Sequence, residues 1–167
     1  MAELTKLESK LGEVLGLAMA SQGAAVKVKR MLARSERGLA GTLDRMREEA
    51  RETERRCTEL VGQIDGKKTA ILGKAREVKK DATEMMTTYL EGEDEALDGF
   101  EFLTMAEAGE VGHWAIVRKL NERAGDPAVA ELAAWALPIQ EDHLKAVLEG
   151  SLALAAQEDP HELEEQG

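Results

Sequence analysis

The three prolines of this 167-residue chain stand at Pro127, Pro138 and Pro160, so its first 126 residues carry none of the residue that most strongly interrupts a helix. Long helices are therefore permitted there. Apolar or small residues recur at steps of three and four as Leu4, Leu7, Leu11, Val14, Ala18, Ser21, Ala25, Val28 and Leu32, which lays one stripe along a first helix. After the glycine-bearing stretch from Ser35 to Gly41, where Ser35 is a candidate cap, Leu39, Leu43, Met46, Ala50, Thr53, Cys57, Leu60 and Ile64 repeat the spacing. Beyond the Asp65-Gly66 turn, Ile71, Ala75, Val78, Ala82, Met85 and Tyr89 begin a third stripe that reaches Leu90. The acids from Glu91 to Glu95 suit the positive end of a fourth helix, predicted over Glu93 to Ala124. Gly125-Asp126-Pro127 then combines a left-handed stop, a cap and a first-turn proline. A fifth helix follows to Gln157, bent at Pro138. With no strand pattern and short connections, the chain reads as all-α: an up-and-down antiparallel bundle in one domain over 1–157, with a polar, frayed tail over 158–167.

Composition narrows the function classes. A net charge of −11 argues against a general nucleic-acid coat, which needs clustered Lys and Arg. Helix two carries Arg45, Arg47, Arg51, Arg55 and Arg56, but Glu48, Glu49, Glu52, Glu54 and Glu59 interrupt them, so no nucleic acid is expected. The single Cys57 excludes an intrachain disulfide and any multi-cysteine zinc or iron–sulfur site, and fits a reducing cytoplasm, the expected location. No apolar run nears the roughly 18 residues of a membrane span, and no basic flank precedes one at the start, so neither secretion nor membrane insertion is predicted. Charge is uneven, however: Lys27 to Lys80 holds 16 bases and 9 acids, whereas Asp81 to Glu110 holds ten acids and no base. That acidic run is expected to complement the basic helices as a solvated face, or else to offer a cationic partner a surface.

The chemical clue is polar residues on apolar stripes. On helix four the inward line is Phe100, Leu103, Glu107, Glu110, Trp114 and Val117, which sets two carboxylates where apolar side chains are expected. His113 follows Glu110 by three residues, and such a pair can present an oxygen and an imidazole nitrogen to one metal ion. On helix five Leu132, Trp135, Ile139, His143 and Ala146 form one stripe and Leu137, Glu141, Leu144, Leu148 and Leu152 another. A helix so apolar all round is predicted to lie centrally or to be shared with a second subunit. Gln140 precedes His143 by three residues, where a carboxylate would complete a second pair. The blander reading makes His113 and His143 partly buried histidines held by Glu107 or Glu110. Cys57 is expected to be inert core, Trp114 and Trp135 packing anchors, and Met85, Met86 and Met105 gap-filling core residues.

The segments Glu107 to Trp114, Gly125 to Pro127 and Leu137 to Leu144 together resemble the last two helices of the ferritin-like superfamily, nearest to the small bacterial proteins of the YciE and YciF type. The resemblance implies a four-helix bundle with an additional connecting helix, and a centre for two iron or manganese ions. Carried over by position, it implies Glu110 and His113 as ligands from one helix, Glu141 or Gln140 with His143 from the other, and Glu107 as a further candidate. The first two helices depart from the pattern. Ser21, Gln22 and Ala25, and then Ala50, Thr53 and Cys57, stand where the family places Glu or His, although Glu49 and Glu52 flank the second stripe.

The expectation that follows is a non-enzymatic ferritin-like bundle with an incomplete dinuclear site and no cofactor, acting as a homo-oligomer, a dimer, or through a protein partner. One alternative is an iron- or manganese-binding protein that oxidises or stores metal. Another is reversible docking on a membrane surface by helix one, with Lys27, Lys29 and Arg30 near its end.

Overall fold

The first helix starts where its sequence provides a capping box: the Thr5 hydroxyl accepts from the Glu8 amide at 3.1 Å, and the Glu8 carboxylate accepts from the Thr5 amide at 2.8 Å. In the computed structural model, which describes residues 2–164, five helices follow one another: α1 (Lys6–Met31), α2 (Arg37–Gly62), α3 (Lys68–Tyr89), α4 (Ala96–Ala124) and α5 (Pro127–Ala155). Among the described residues there is no strand. The predicted corner between α4 and α5 forms as read. Gly125 takes a left-handed φ of 64°, and the Asp126 carboxylate accepts from the amides of Ala128 and Val129. The buried Asn121 side chain closes it, donating to the Asp126 carbonyl at 2.9 Å and accepting from the Asp126 amide at 3.2 Å. Elsewhere the ends move inward. Helix α2 begins after Glu36 without a side-chain cap, so Ser35 is not used; α4 starts at Ala96 rather than Glu93; α5 runs unbroken through Pro138 and stops at Ala155. Residues 158–164 are exposed and non-helical, as expected of the tail, whose residues 165–167 lie outside the described ones.

Pairings between helices fix their directions. Lys29 with Asp44 and Gln22 with Glu54 set α2 antiparallel to α1. Val28 against Gly99 and Lys10 against His113 do the same for α4. Helix α5 returns antiparallel to α4, with Thr104 meeting Ser151 at 3.2 Å, and antiparallel to α2, with Arg45 meeting Asp142 at 2.8 Å. Helix α3 lies along α1 in the same direction, because Gly12 faces Ile71 and Lys74 while Gly16 faces Ala75 and Val78. The molecule is thus an all-helical bundle in which α1 packs against α2, α3 and α4, and α5 against α2 and α4.

The central helix is α1; of the two places expected for α5, central or shared with a second subunit, the first is not the one it takes. Helix α1 buries two faces, whereas α5 leaves Leu148 and Leu152 on the surface, with Leu152 62% exposed. Two further expectations change. Met86 is buried, but Met85 is 68% and Met105 53% exposed: the inward face of α3 passes from Ala82 to Met86 and turns Met85 outward, and Met105 on α4 stands between the inward positions Leu103 and Glu107. The acids of 81–110 do not neutralise the basic helices: among the described residues their salt bridges to Lys or Arg reduce to Lys80 with Glu84 at 3.9 Å. They meet other acids instead. Glu93 is pushed up chiefly by Asp98, and Glu95 chiefly by Glu158.

The apolar interior divides along the bundle. At one end Leu11, Leu15, Cys57, Leu60, Trp114, Val117 and Leu132 pack together; at the other Val28, Leu43, Met46, Phe100, Leu103 and Val147 do so. Burying each of the larger of these side chains contributes about 1.5–3 kcal/mol. Trp114 is the expected anchor, while Trp135 is half-buried beneath the Arg56 guanidinium, 4.0 Å above its ring. Between the two apolar ends lies a layer of polar side chains.

Candidate functional site: a buried carboxylate, amide and imidazole layer

Helical periodicity places the layer. On α4 the inward line holds as predicted, with Phe100, Leu103, Glu107, Glu110, Trp114 and Val117 all buried, so two carboxyl groups one turn apart face the interior. On α5 the inward line is Leu132, Ala136, Gln140, His143 and Val147. Gln140 and His143 are therefore the buried pair, and Glu141, one residue further round, points to solvent. The sequence reading that offered Glu141 as a donor is corrected by this 100° step. Helix α2 supplies the buried Thr53, whose hydroxyl donates to the Glu49 carbonyl at 2.9 Å, and the partly exposed Glu49 itself; α1 supplies Ser21.

These groups satisfy one another incompletely. The Gln140 amide donates to the Glu110 carboxylate. The His143 ring lies between two acids, with Nδ1 3.7 Å from Glu107 Oε2 and Nε2 3.5 Å from Glu49 Oε2. These are ion-pair distances, not hydrogen bonds. Accordingly Glu107 Oε2, His143 Nε2 and Gln140 Oε1 have no hydrogen-bond partner. Burial, and then the charge of Glu107, push the Glu110 carboxyl well above the usual carboxylate range, against the smaller opposite pull of Gln140 and Ser21. A protonated Glu110 turns an acceptor into a donor inside the layer.

His113 stays apart. Its Nδ1 is 3.2 Å from Glu13 Oε2 and 3.4 Å from Lys10 Nζ, on the α1 side of α4 and partly exposed. Burial and Lys10 pull it below the ordinary imidazole range despite Glu13. Five residues were read as donors, and the structure brings Glu107, Glu110 and His143 into one layer while sending His113 to α1 and Glu141 to the surface. Glu49, expected beside the second stripe, lies 3.5 Å from His143 Nε2. The signal was in the spacing, since Met46, Glu49 and Thr53 follow steps of three and four.

The donor set does not fit two iron or manganese ions. The two His143 nitrogens face different carboxylates on opposite sides of the ring, Gln140 presents its amide nitrogen to Glu110, and among the described residues no three His, Cys, Asp or Glu converge to hold an ion. Nor is there a thiolate nucleophile here: burial, then Glu54, push the Cys57 thiol up to about 12. No helix of the described residues is long and apolar enough to cross a membrane. Comparison with protein-family models, with curated proteins and with solved structures finds no match.

Proposed function

We propose that this chain is a non-enzymatic, ferritin-like helical bundle in which α1, α2, α4 and α5 form the four-helix core, α3 is the connecting helix, and the position of a dinuclear centre is taken by a layer of polar side chains facing each other. It acts by association, first of all with a second copy of itself. One observation carries the reading: His143 lies between Glu107 and Glu49 on opposite sides of its ring while Gln140 donates to Glu110, so the polar groups face one another rather than one shared point. Expression in iron- and manganese-supplemented medium followed by elemental analysis tests it, with less than about a tenth of an ion per folded chain expected. Stoichiometric metal that disappears in Glu110→Ala overturns it and restores the metal-binding alternative.

Association is supported by the outer face of α5, where Leu144, Leu148 and Leu152 follow one another at four-residue steps and the last two are exposed. Self-association through that row predicts a dimer by light scattering that becomes a monomer in the Leu148→Glu, Leu152→Glu double variant. A wild-type monomer at high concentration leaves the protein-partner form of the reading and removes the dimer.

A further inference from the structure

Behind the polar layer, on the side away from α5, the bundle is open. A cleft of about 370 Å³ lies between α1, α3 and the first half of α4, within the roughly 300–1,000 Å³ of small-ligand sites. Its wall is apolar: Leu17 and Ala24 from α1, Met85 and Met86 from α3, Phe102 and Met105 from α4. Glu107 and Glu110 lie deep in that wall at 2% and 3% exposure, with Ser21 beside them. We propose that this cleft is a binding site for lipophilic amines, with the alkyl or aryl body against the methionine and alanine wall and the ammonium group at Glu107 and Glu110.

Three observations select this chemistry. First, two carboxyl groups one helical turn apart in an apolar enclosure are costly, and Glu107 Oε2 has no hydrogen-bond partner at all. An ammonium in the cleft offsets the repulsion between the two acids and opposes the upward push on Glu110. A neutral alcohol supplies a donor but no charge, and a carboxylate adds a third like charge. Secondly, the approach is acidic. Asp81 and Glu84 share the adjoining surface hollow with Met85 and Tyr89, within the run of ten acids and no base, so a cation is drawn toward the opening. At the far end His113 is already engaged by Glu13 and Lys10, the latter itself paired to Glu13. Thirdly, flexible thioethers accommodate apolar bodies of different shape, and the exposed Met85 and Met105 stand at the rim.

The test uses chelator-treated full-length protein, so its outcome is separate from the metal analysis. n-Octylamine, n-octanol and octanoate are titrated at neutral pH by calorimetry, with the methionine methyl groups carbon-13 labelled. The expected result is saturable n-octylamine binding at least about tenfold tighter than n-octanol, with no octanoate binding. The methyl signals of Met85, Met86 and Met105 should shift while that of Met46, deep between the helices, does not. In the Glu107→Gln, Glu110→Gln variant, checked for folding by circular dichroism, amine and alcohol should bind equally. Glu107→Gln alone, expected to lose most of the preference, serves if the double variant does not fold. The proposal is overturned if n-octylamine does not saturate, if amine and alcohol bind equally to the wild type, if the Gln variants keep the preference, or if the shifting methyls lie elsewhere.

Discussion

Glu110 has ordinary carboxylic-acid chemistry in an unfolded chain and altered chemistry in the folded one, so it links pH to stability. Its folded carboxyl is raised above the usual 4.5 by burial and by Glu107. The native state therefore holds a proton that the unfolded state releases between that value and the folded one. The stabilisation is fully present below about pH 4.5 and is lost as pH rises through the folded pKa. Glu110→Gln keeps the shape and removes the titration, so it should melt at a more even temperature across pH and be about 1–3 kcal/mol more stable than wild type at pH 8. Thermal melts of both proteins at pH 5 and pH 8 measure this. Glu93 and Glu95 shift in the same direction but are present in both proteins, so the difference isolates Glu110. The buried carboxyls were legible in the sequence because they interrupt a clean apolar stripe on α4. Glu141 was misread and Gln140 underrated because α5 is apolar on so much of its circumference that periodicity could not say which stripe faces inward.

At the scale of helices, α1 and α3 approach closely through two glycines of α1. A Cβ at Gly16 would lie 2.4 Å from the Ala75 carbonyl oxygen and 2.8 Å from Val78 Cβ, and a backbone oxygen on a neighbouring helix cannot rotate out of the way. Gly16→Ala should therefore cost about 1–3 kcal/mol despite the better helix propensity of alanine. Gly23, on the exposed face of the same helix, meets nothing within 4 Å, so Gly23→Ala should stabilise by up to about 1 kcal/mol. Urea denaturation of the two variants gives the opposite signs directly. Proline placement and stripes made all five helices and the Gly125-Asp126-Pro127 corner readable. The second buried face of α1 was not, because it is built from Gly12 and Gly16, which apolar periodicity does not register. The same contact sets the parallel course of α3, and the cleft lies between α1, the second half of α3 and α4.

For the molecule as a whole, the polar layer divides one possible core into two. Leu15 and Trp114 belong to one end, Val28 and Phe100 to the other, and Glu107, Glu110, Gln140 and His143 lie between them. Such a layer is a poor source of stability, since taking charges out of water costs more than a loose 3.5–3.7 Å pairing returns. It follows that parts and whole should behave oppositely. His143→Leu alone removes the imidazole between Glu107 and Glu49 and should cost about 3 kcal/mol, because the buried Glu107 is left facing an alkyl group. Replacing Glu107, Glu110, Gln140 and His143 together by leucine joins the two apolar ends and should be neutral or stabilising by about 1–4 kcal/mol. The measurement is a denaturation comparison of wild type, single and quadruple variants. A quadruple variant less stable than His143→Leu would mean that the layer holds the bundle together. A more stable one that no longer distinguishes n-octylamine from n-octanol would mean that these four side chains are kept for what they bind, at the expense of what they stabilise.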